Sequence, residues 1–199
     1  MSSEDIYRTI EHPSEGIYKE KGSKFLAFAW PIESEEEVKE KLAEMKTRYH
    51  DARHHCFAWQ LGLDGMNYRV NDDGEPSGTA GKPIYGQIRS KELSNILVLV
   101  VRYFGGTKLG VSGLINAYKA AAADVLANSK IVERTVNSVI SFHFPYESLN
   151  DVMKVIKEEA PEIIHQKFDL SCSIILSIRQ SREEELKERL KMIDHLVLE

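Results

Sequence analysis

The pattern of apolar and polar positions changes period several times along the chain. In the first third, "IYRTI" (6–10) and "EGIYKE" (15–20) flank the turn-forming "HPSEG", and "KFLAFAWPI" (24–32) is a further β-rich run, which predicts three strands. Alternation along that third run sets Phe25 opposite Phe28 and Trp30, so at least one face belongs to a core. The spacing then becomes helical in "EEEVKEKLAEMKTRY". Val38, Leu42 and Met45 form one narrow stripe, and Ser34 with Glu37 three residues on makes a capping box. Two strand-like runs, "HHCFAWQLGL" and "MNYRVND", surround Asp64-Gly65, a strong hairpin signal. "GEPSGTAGKPIYGQIRSK" reads as a loop leading into a short helix, and "NILVLVV" as a fully buried strand. "SGLINAYKAAAADVLANS" reads as a helix of about 18 residues with Ser112 as its cap.

A boundary falls near 131–137. Beyond it the expected order is strand "SVISFHFPY", helix "ESLNDVMKVIKEEA", strand "IIHQKFDL", strand "SCSIILSIRQ", helix "SREEELKERLKMI" and strand "HLVLE". That βαββαβ order predicts a ferredoxin-like arrangement, two helices on one face of a four-stranded antiparallel sheet. Ile174, Leu176 and Ile178 share the inward face. The expected class is α+β in two domains, 1–132 and 133–199.

Composition narrows the setting. The 199 residues are 42% hydrophobic and 29% charged, ordinary for a globular chain. The apolar run 96–101 is far too short for a bilayer, which takes about 20 residues. The first residues lack the basic start and apolar block of a secretory signal. Cys56 and Cys172 are far apart and form neither a CxxC pair nor a disulfide framework, which fits a reducing cytoplasm. Net charge is −5, yet its distribution is uneven. Between Pro76 and Ala123, Lys82, Arg89, Lys91, Arg102, Lys108 and Lys119 face only Glu92, a local charge of +5. The acidic excess lies in "ESEEEVKEKLAE" and "SREEELKERLK", which read as solvated helix faces.

The candidate chemistry centres on "VRYFGGTKLGVSG", where a buried strand meets a helix. Gly105 and Gly106 let the chain turn sharply, and Gly110 and Ser112 stand at the helix start, whose free N–H groups and dipole favour an anion. Arg102 and Lys108 then converge on that anion, with Tyr103 and Phe104 as exposed aromatics beside it. The alternative, that the glycines only permit the turn and Arg102 is salt-bridged inside, stays open. The order lacks the Gly-Lys-Ser/Thr of a phosphate loop and the GxGxxG of a dinucleotide fold. "NDDGEPSGTAGKP" (71–83) is a second anion candidate, with small residues and Lys82 suited to a phosphate nest. Its Asp72, Asp73 and Glu75 are instead candidates for a cation, but without EF-hand spacing, and a plain scaffold turn is the third reading. "HDARHHC" (50–56) gathers possible metal ligands, although His54 and His55 point to opposite faces of a strand. No metal ligand set, cofactor or catalytic residue is assigned, and no nucleophile elbow accompanies any Ser or Cys.

At "KGSKFLA" (21–27), "ARHHCFAW" (52–59), "NDDGEPSGTAGKPI" (71–84) and above all "NILVLVVRYFGGTKLGVSGLINAY" (95–118), the chain resembles the IMPACT family, in its bacterial YigZ-type branch. The resemblance spans essentially the whole chain. It implies an N-terminal domain like domain IV of elongation factor G and a related ribosomal-protein fold. It also implies a C-terminal domain like the last domain of translocating elongation factors. For function it implies translational control in the eukaryotic relatives, which compete for a protein partner with a different accessory domain that this chain does not show, and RNA or ribosome binding in the bacterial members. The expectation is therefore a cytoplasmic, non-enzymatic protein that binds RNA or the ribosome through Lys82, Arg102, Tyr103, Gly105, Gly106, Lys108, Gly110 and Ser112. A small-molecule enzyme using the same anion loop and a protein-interaction module are the alternatives.

Overall fold

The computed structural model describes residues 5–199, which form eleven strands and five α-helices. In chain order these are β1 (Ile6–Ile10), β2 (Ser14–Glu20), β3 (Ser23–Pro31), α1 (Glu35–Arg48), β4 (His54–Leu61), β5 (Asn67–Asn71), α2 (Gly81–Ser90), β6 (Ile96–Tyr103), α3 (Gly110–Ala127), β7 (Ile131–Thr135), β8 (Asn137–Pro145), α4 (Leu149–Glu159), β9 (Glu162–Lys167), β10 (Ser171–Arg179), α5 (Glu183–Lys191) and β11 (Val197–Leu198). They fold as two compact units, 7–134 and 135–199, with Asp5 and Ile6 belonging to the second. The protein is thus a mixed α/β molecule with several antiparallel sheets.

In the first unit a five-stranded antiparallel sheet runs in the order β2-β3-β6-β4-β5. Its central strand, β6, is apolar without interruption because both of its faces are covered. Ile96, Val98 and Val100 meet Ile84, Ile88, Ala117 and Tyr118 of α2 and α3. Leu97, Leu99 and Val101 meet Val38 and Met45 of α1 on the other side. Each such side chain contributes roughly 1.5–3 kcal/mol on burial. Phe25 lies on the α3 side and Phe28 and Trp30 on the α1 side, as the alternation requires. Ser34 Oγ accepts the Glu37 N–H at 3.2 Å, and the Glu37 carboxylate accepts the Glu33 N–H at 3.0 Å, closing the start of α1.

The pattern "HPSEG" does not close a hairpin between β1 and β2. Instead β1 pairs with β7, a strand inside the stretch read as a boundary, and the Glu11 N–H donates to the Lys130 carbonyl at 2.9 Å. The reason lies on the outer edge of β2. There the Ile17 N–H is taken by the Asp124 carboxylate at 2.9 Å, and a Cβ on Gly16 would stand 2.6 Å from the Val125 nitrogen. The end of α3 covers that edge, so β1 finds its partner elsewhere.

In the second unit the order is β8-α4-β9-β10-α5-β11, and the sheet runs β11-β8-β10-β9, antiparallel throughout. Ile140, Phe142 and Phe144 of β8 and Ile174, Leu176 and Ile178 of β10 pack against Val152, Ile156, Leu186 and Leu190 of the two helices. Asp5 is anchored to this unit. It accepts from Ser181 Oγ at 2.6 Å and Arg179 Nη2 at 2.9 Å, which hold its carboxyl down at about 2.

Candidate functional site

The sheet of the first unit ends in a row of three side chains on its α3 face. Register places Arg102 of β6 directly between Phe25 of β3 and His54 of β4. The Arg102 guanidinium carbon lies 5.5 Å from the Phe25 ring centre and 5.7 Å from that of Phe104. Its Nη1 donates to Glu75 Oε1 at 2.6 Å, and Tyr118 of α3 donates its hydroxyl to the same oxygen at 2.8 Å. The side chains of Arg102 and Glu75 are only 7% and 4% exposed. Arg102 is therefore not the free, solvent-facing cation expected from the glycine-rich segment. A buried guanidinium requires a buried partner, because the cost of desolvating a lone charge is several kcal/mol.

Above this pair opens a cleft of about 840 Å³. Phe104, Leu109, Val111 and Leu114 form its apolar walls, and Arg53 and Lys108 stand exposed on its lining. Among the described residues neither cation is paired with a carboxylate. Asp51 also lines the cleft, and its carboxylate accepts the Tyr103 hydroxyl at 2.7 Å. That bond lowers the Asp51 carboxyl from its ordinary range and pushes the Tyr103 phenol up to about 12. His54 completes the floor. Its Nδ1 lies 2.9 Å from the Asp73 carbonyl, which can only accept, so Nδ1 bears the proton and Nε2 is left as the acceptor of the neutral ring. That Nε2 is 4.0 Å from Glu75 Oε1.

The helix that borders the cleft starts three residues earlier than a cap at Ser112 implies. Leu109, not Ser112, holds the N-cap position, and no side chain caps it. Gly110 and Val111, in the first turn of α3, line the cleft, whereas the exposed Ser112 does not. The glycines divide by role. A Cβ on Gly105 would run into the backbone of Gly22 and Ser23, so this glycine serves the crossing of two chain segments rather than a ligand. Gly106 and Gly110 have φ of +89° and +71° in open space, conformations that only glycine adopts readily.

The loop 71–83 is filled by the protein itself. Asp72 accepts from the Gly78, Ala80 and Gly81 N–H groups at 2.8, 3.0 and 2.8 Å. Burial opposes its charge, but these donors together outweigh burial and hold the carboxyl below its usual value. The nest expected for a phosphate is thus occupied by a carboxylate, and the exposed Lys82 beside it does not line the cleft. Asp73 accepts from the His55 N–H at 2.6 Å and Glu75 is bound to Arg102, so the three acids do not gather. No group of three His, Cys, Asp or Glu is placed to hold a metal ion among the described residues. Cys56 is buried 3.0 Å from the Asp72 carbonyl and 3.3 Å from the Tyr118 hydroxyl, and burial pushes its thiol well above the ordinary range. It is not a nucleophile at neutral pH.

Of the residues expected to bind an anion, the cleft brings together Arg102, Tyr103, Lys108 and Gly110. Glu75 and His54 escaped the sequence reading as parts of one site. The alternation of β4 already put His54 and Cys56 on one face, but their relation to Arg102 needed the register.

The Impact N-terminal domain model matches residues 21–126. Over 152 residues the chain is 32% identical to the IMPACT family member YvyE of Bacillus subtilis strain 168, covering 76% of this chain and 70% of that protein. Over 172 residues it is 28% identical to the IMPACT family member YigZ of Escherichia coli K12, covering 85% and 84%. A crystal structure described as that of a hypothetical protein superposes with a TM-score of 0.74 at 26% identity, over 98% of this chain and 96% of that one. No helix among the described residues is long and apolar enough to cross a membrane.

Proposed function

We propose that this chain, which belongs to the IMPACT family, is an RNA- or ribosome-associated protein of the cytoplasm that acts in translation or its regulation, and that it grips single-stranded RNA at the cleft of its first unit. The observation that carries the reading is the pairing of apolar walls with two unpaired cations, Arg53 and Lys108, beside an uncapped helix start. Apolar walls suit a base and the cations suit its phosphates. The family resemblance adds the translational context: a first domain like domain IV of elongation factor G, and a ferredoxin-like second domain whose strand order 4-1-3-2 is that of the split βαβ arrangement. A partner protein in translational control fits the same context.

In this reading Arg102 is the fixed floor of the site and not a phosphate ligand. Glu75 already neutralises it, so a phosphate brought to the floor would meet no net positive charge. The phosphate contacts shift to Lys108, Arg53 and the N–H groups of Gly110 and Val111. Titration of a labelled single-stranded RNA against the full chain at two salt concentrations tests this. Affinity is expected to fall as salt rises, because each neutralised phosphate releases counterions. Salt-independent binding, or none at low salt, contradicts it.

A second reading, an enzyme acting on a small molecule, is favoured by one feature. The cleft volume lies inside the roughly 300–1,000 Å³ typical of small-ligand sites, and His54 has an acceptor nitrogen at its floor. Turnover of a phosphorylated metabolite that is abolished by His54→Ala supports it over the first.

A further inference from the structure

The two larger sheets end in four edge strands, and three of them are poor templates for a second copy of the chain. On β2 the edge is held by α3, with the Ile17 N–H taken by Asp124 at 2.9 Å. β11 is only two residues long. β5 would set Arg69 against Arg69 if it met its own copy in register, and like charges directly opposite repel. β9 differs from all three. Its six residues are all exposed, and one side of its backbone has no partner among the described residues. An uncovered strand edge of this kind is a template for another strand.

The residues of β9 fit it to itself. Antiparallel strands related by a two-fold axis between Ile164 and His165 place Glu162 opposite Lys167 of the second copy, and Lys167 opposite its Glu162. Both ends of the pairing are then matched in charge, which stabilises a cross-strand pair. Ile163 and Ile164, 37% and 54% exposed, lie between the charged ends. Beyond Lys167 the same alignment brings Phe168, 46% exposed, to Pro161 of the second copy, so apolar surface is covered there as well. The strand also bulges at Ile164, because Ile175 pairs with His165 and Leu176 with Ile163. A bulge interrupts the ladder and twists the edge, so the contact is short and reversible rather than obligate.

We propose that a second copy of this chain docks on β9, the two β9 strands pairing antiparallel so that two four-stranded sheets join into one, with the Glu162–Lys167 pairs fixing the register. A contact built on one short strand from each copy falls in the low class of interfaces, below about 1,200 Å², which belongs to transient association. Pairing therefore depends on protein concentration, and it is independent of what the cleft of the first unit binds.

Sedimentation velocity of the full chain from about 1 to about 200 μM tests it, the span in which so small an interface forms and dissociates. The unaltered chain should pass from monomer to dimer as concentration rises. Lys167→Glu and Glu162→Lys each oppose like charges at both ends of the pairing and should weaken the dimer at least about tenfold. Both side chains are exposed, so these variants keep the fold, which circular dichroism checks. Mixed in equal amounts, the two variants again oppose unlike charges, and a mixed dimer should form at a concentration where neither pairs with itself. The double variant that exchanges the two charges should regain the dimer of the unaltered chain. A dimer indifferent to the single reversals, or no recovery in the mixture and the exchange, overturns the proposal. A chain that stays monomeric throughout also overturns it and leaves the β9 edge to a different protein.

Discussion

Arg102 shows how one carboxylate changes the meaning of a cation. Counted along the sequence, it belongs to a segment of +5 that begins at Pro76, and its partner Glu75 stands one residue outside that segment. The ion pair is sealed, stacked between Phe25 and Phe104, and braced by the Tyr118 hydroxyl, whose own ionisation burial pushes far up. Removing one member strands the other. Arg102→Met is expected to cost about 3–5 kcal/mol in urea unfolding, while Arg102→Met combined with Glu75→Leu costs less than that single change, because no buried charge is left unpaired. A double variant as unstable as the sum of its parts contradicts this. It follows that Arg102→Ala is a poor probe of binding, since it perturbs the fold, and that the exposed Lys108 is the cleaner one. The sign of the segment was legible in the sequence. An internal salt bridge was one of the readings left open, but its partner was not legible, because it depends on a contact between residues 27 positions apart.

At the scale of elements, local patterns predicted what local physics determines. The capping box of α1, its stripe of Val38, Leu42 and Met45, and the two-faced burial of β6 were all readable from spacing. What the pattern missed was set by distant packing. β1 takes β7 because α3 covers the edge of β2, and Gly105, ahead of α3, is required by the crossing of its backbone with Gly22. Neighbouring glycines consequently differ in tolerance. Gly105→Ala forces two backbones apart and should cost above about 3 kcal/mol, beyond the usual range for overpacking. Gly106→Ala meets open space and should cost only about 1–2 kcal/mol for its left-handed conformation. Chemical denaturation of the two variants checks the order, and equal losses contradict the assignment of Gly105 to the crossing.

For the molecule as a whole, the described residues divide between 134 and 135, within the stretch 131–137 where the element order changes, and Asp5 and Ile6 belong with the second unit. Asp5 gives that association a pH signature. Ser181 and Arg179 lower its carboxyl from 3.8 to about 2, so its contribution is fully present above about pH 4 and is lost as pH falls toward 2. Asp5→Asn should therefore lower stability at pH 6 and make little difference at pH 2; a pH-independent difference contradicts the pairing.

The salt dependence of RNA binding by the Arg53→Ala, Lys108→Ala double variant, measured beside the unaltered chain, probes the role of the cleft most directly. With both cations removed, two phosphates of a single strand keep their counterions, and the slope of log affinity against log salt should shrink by about 1.4, about 0.7 for each. An unchanged slope in a folded variant places the phosphates elsewhere and removes the cleft from the function proposed.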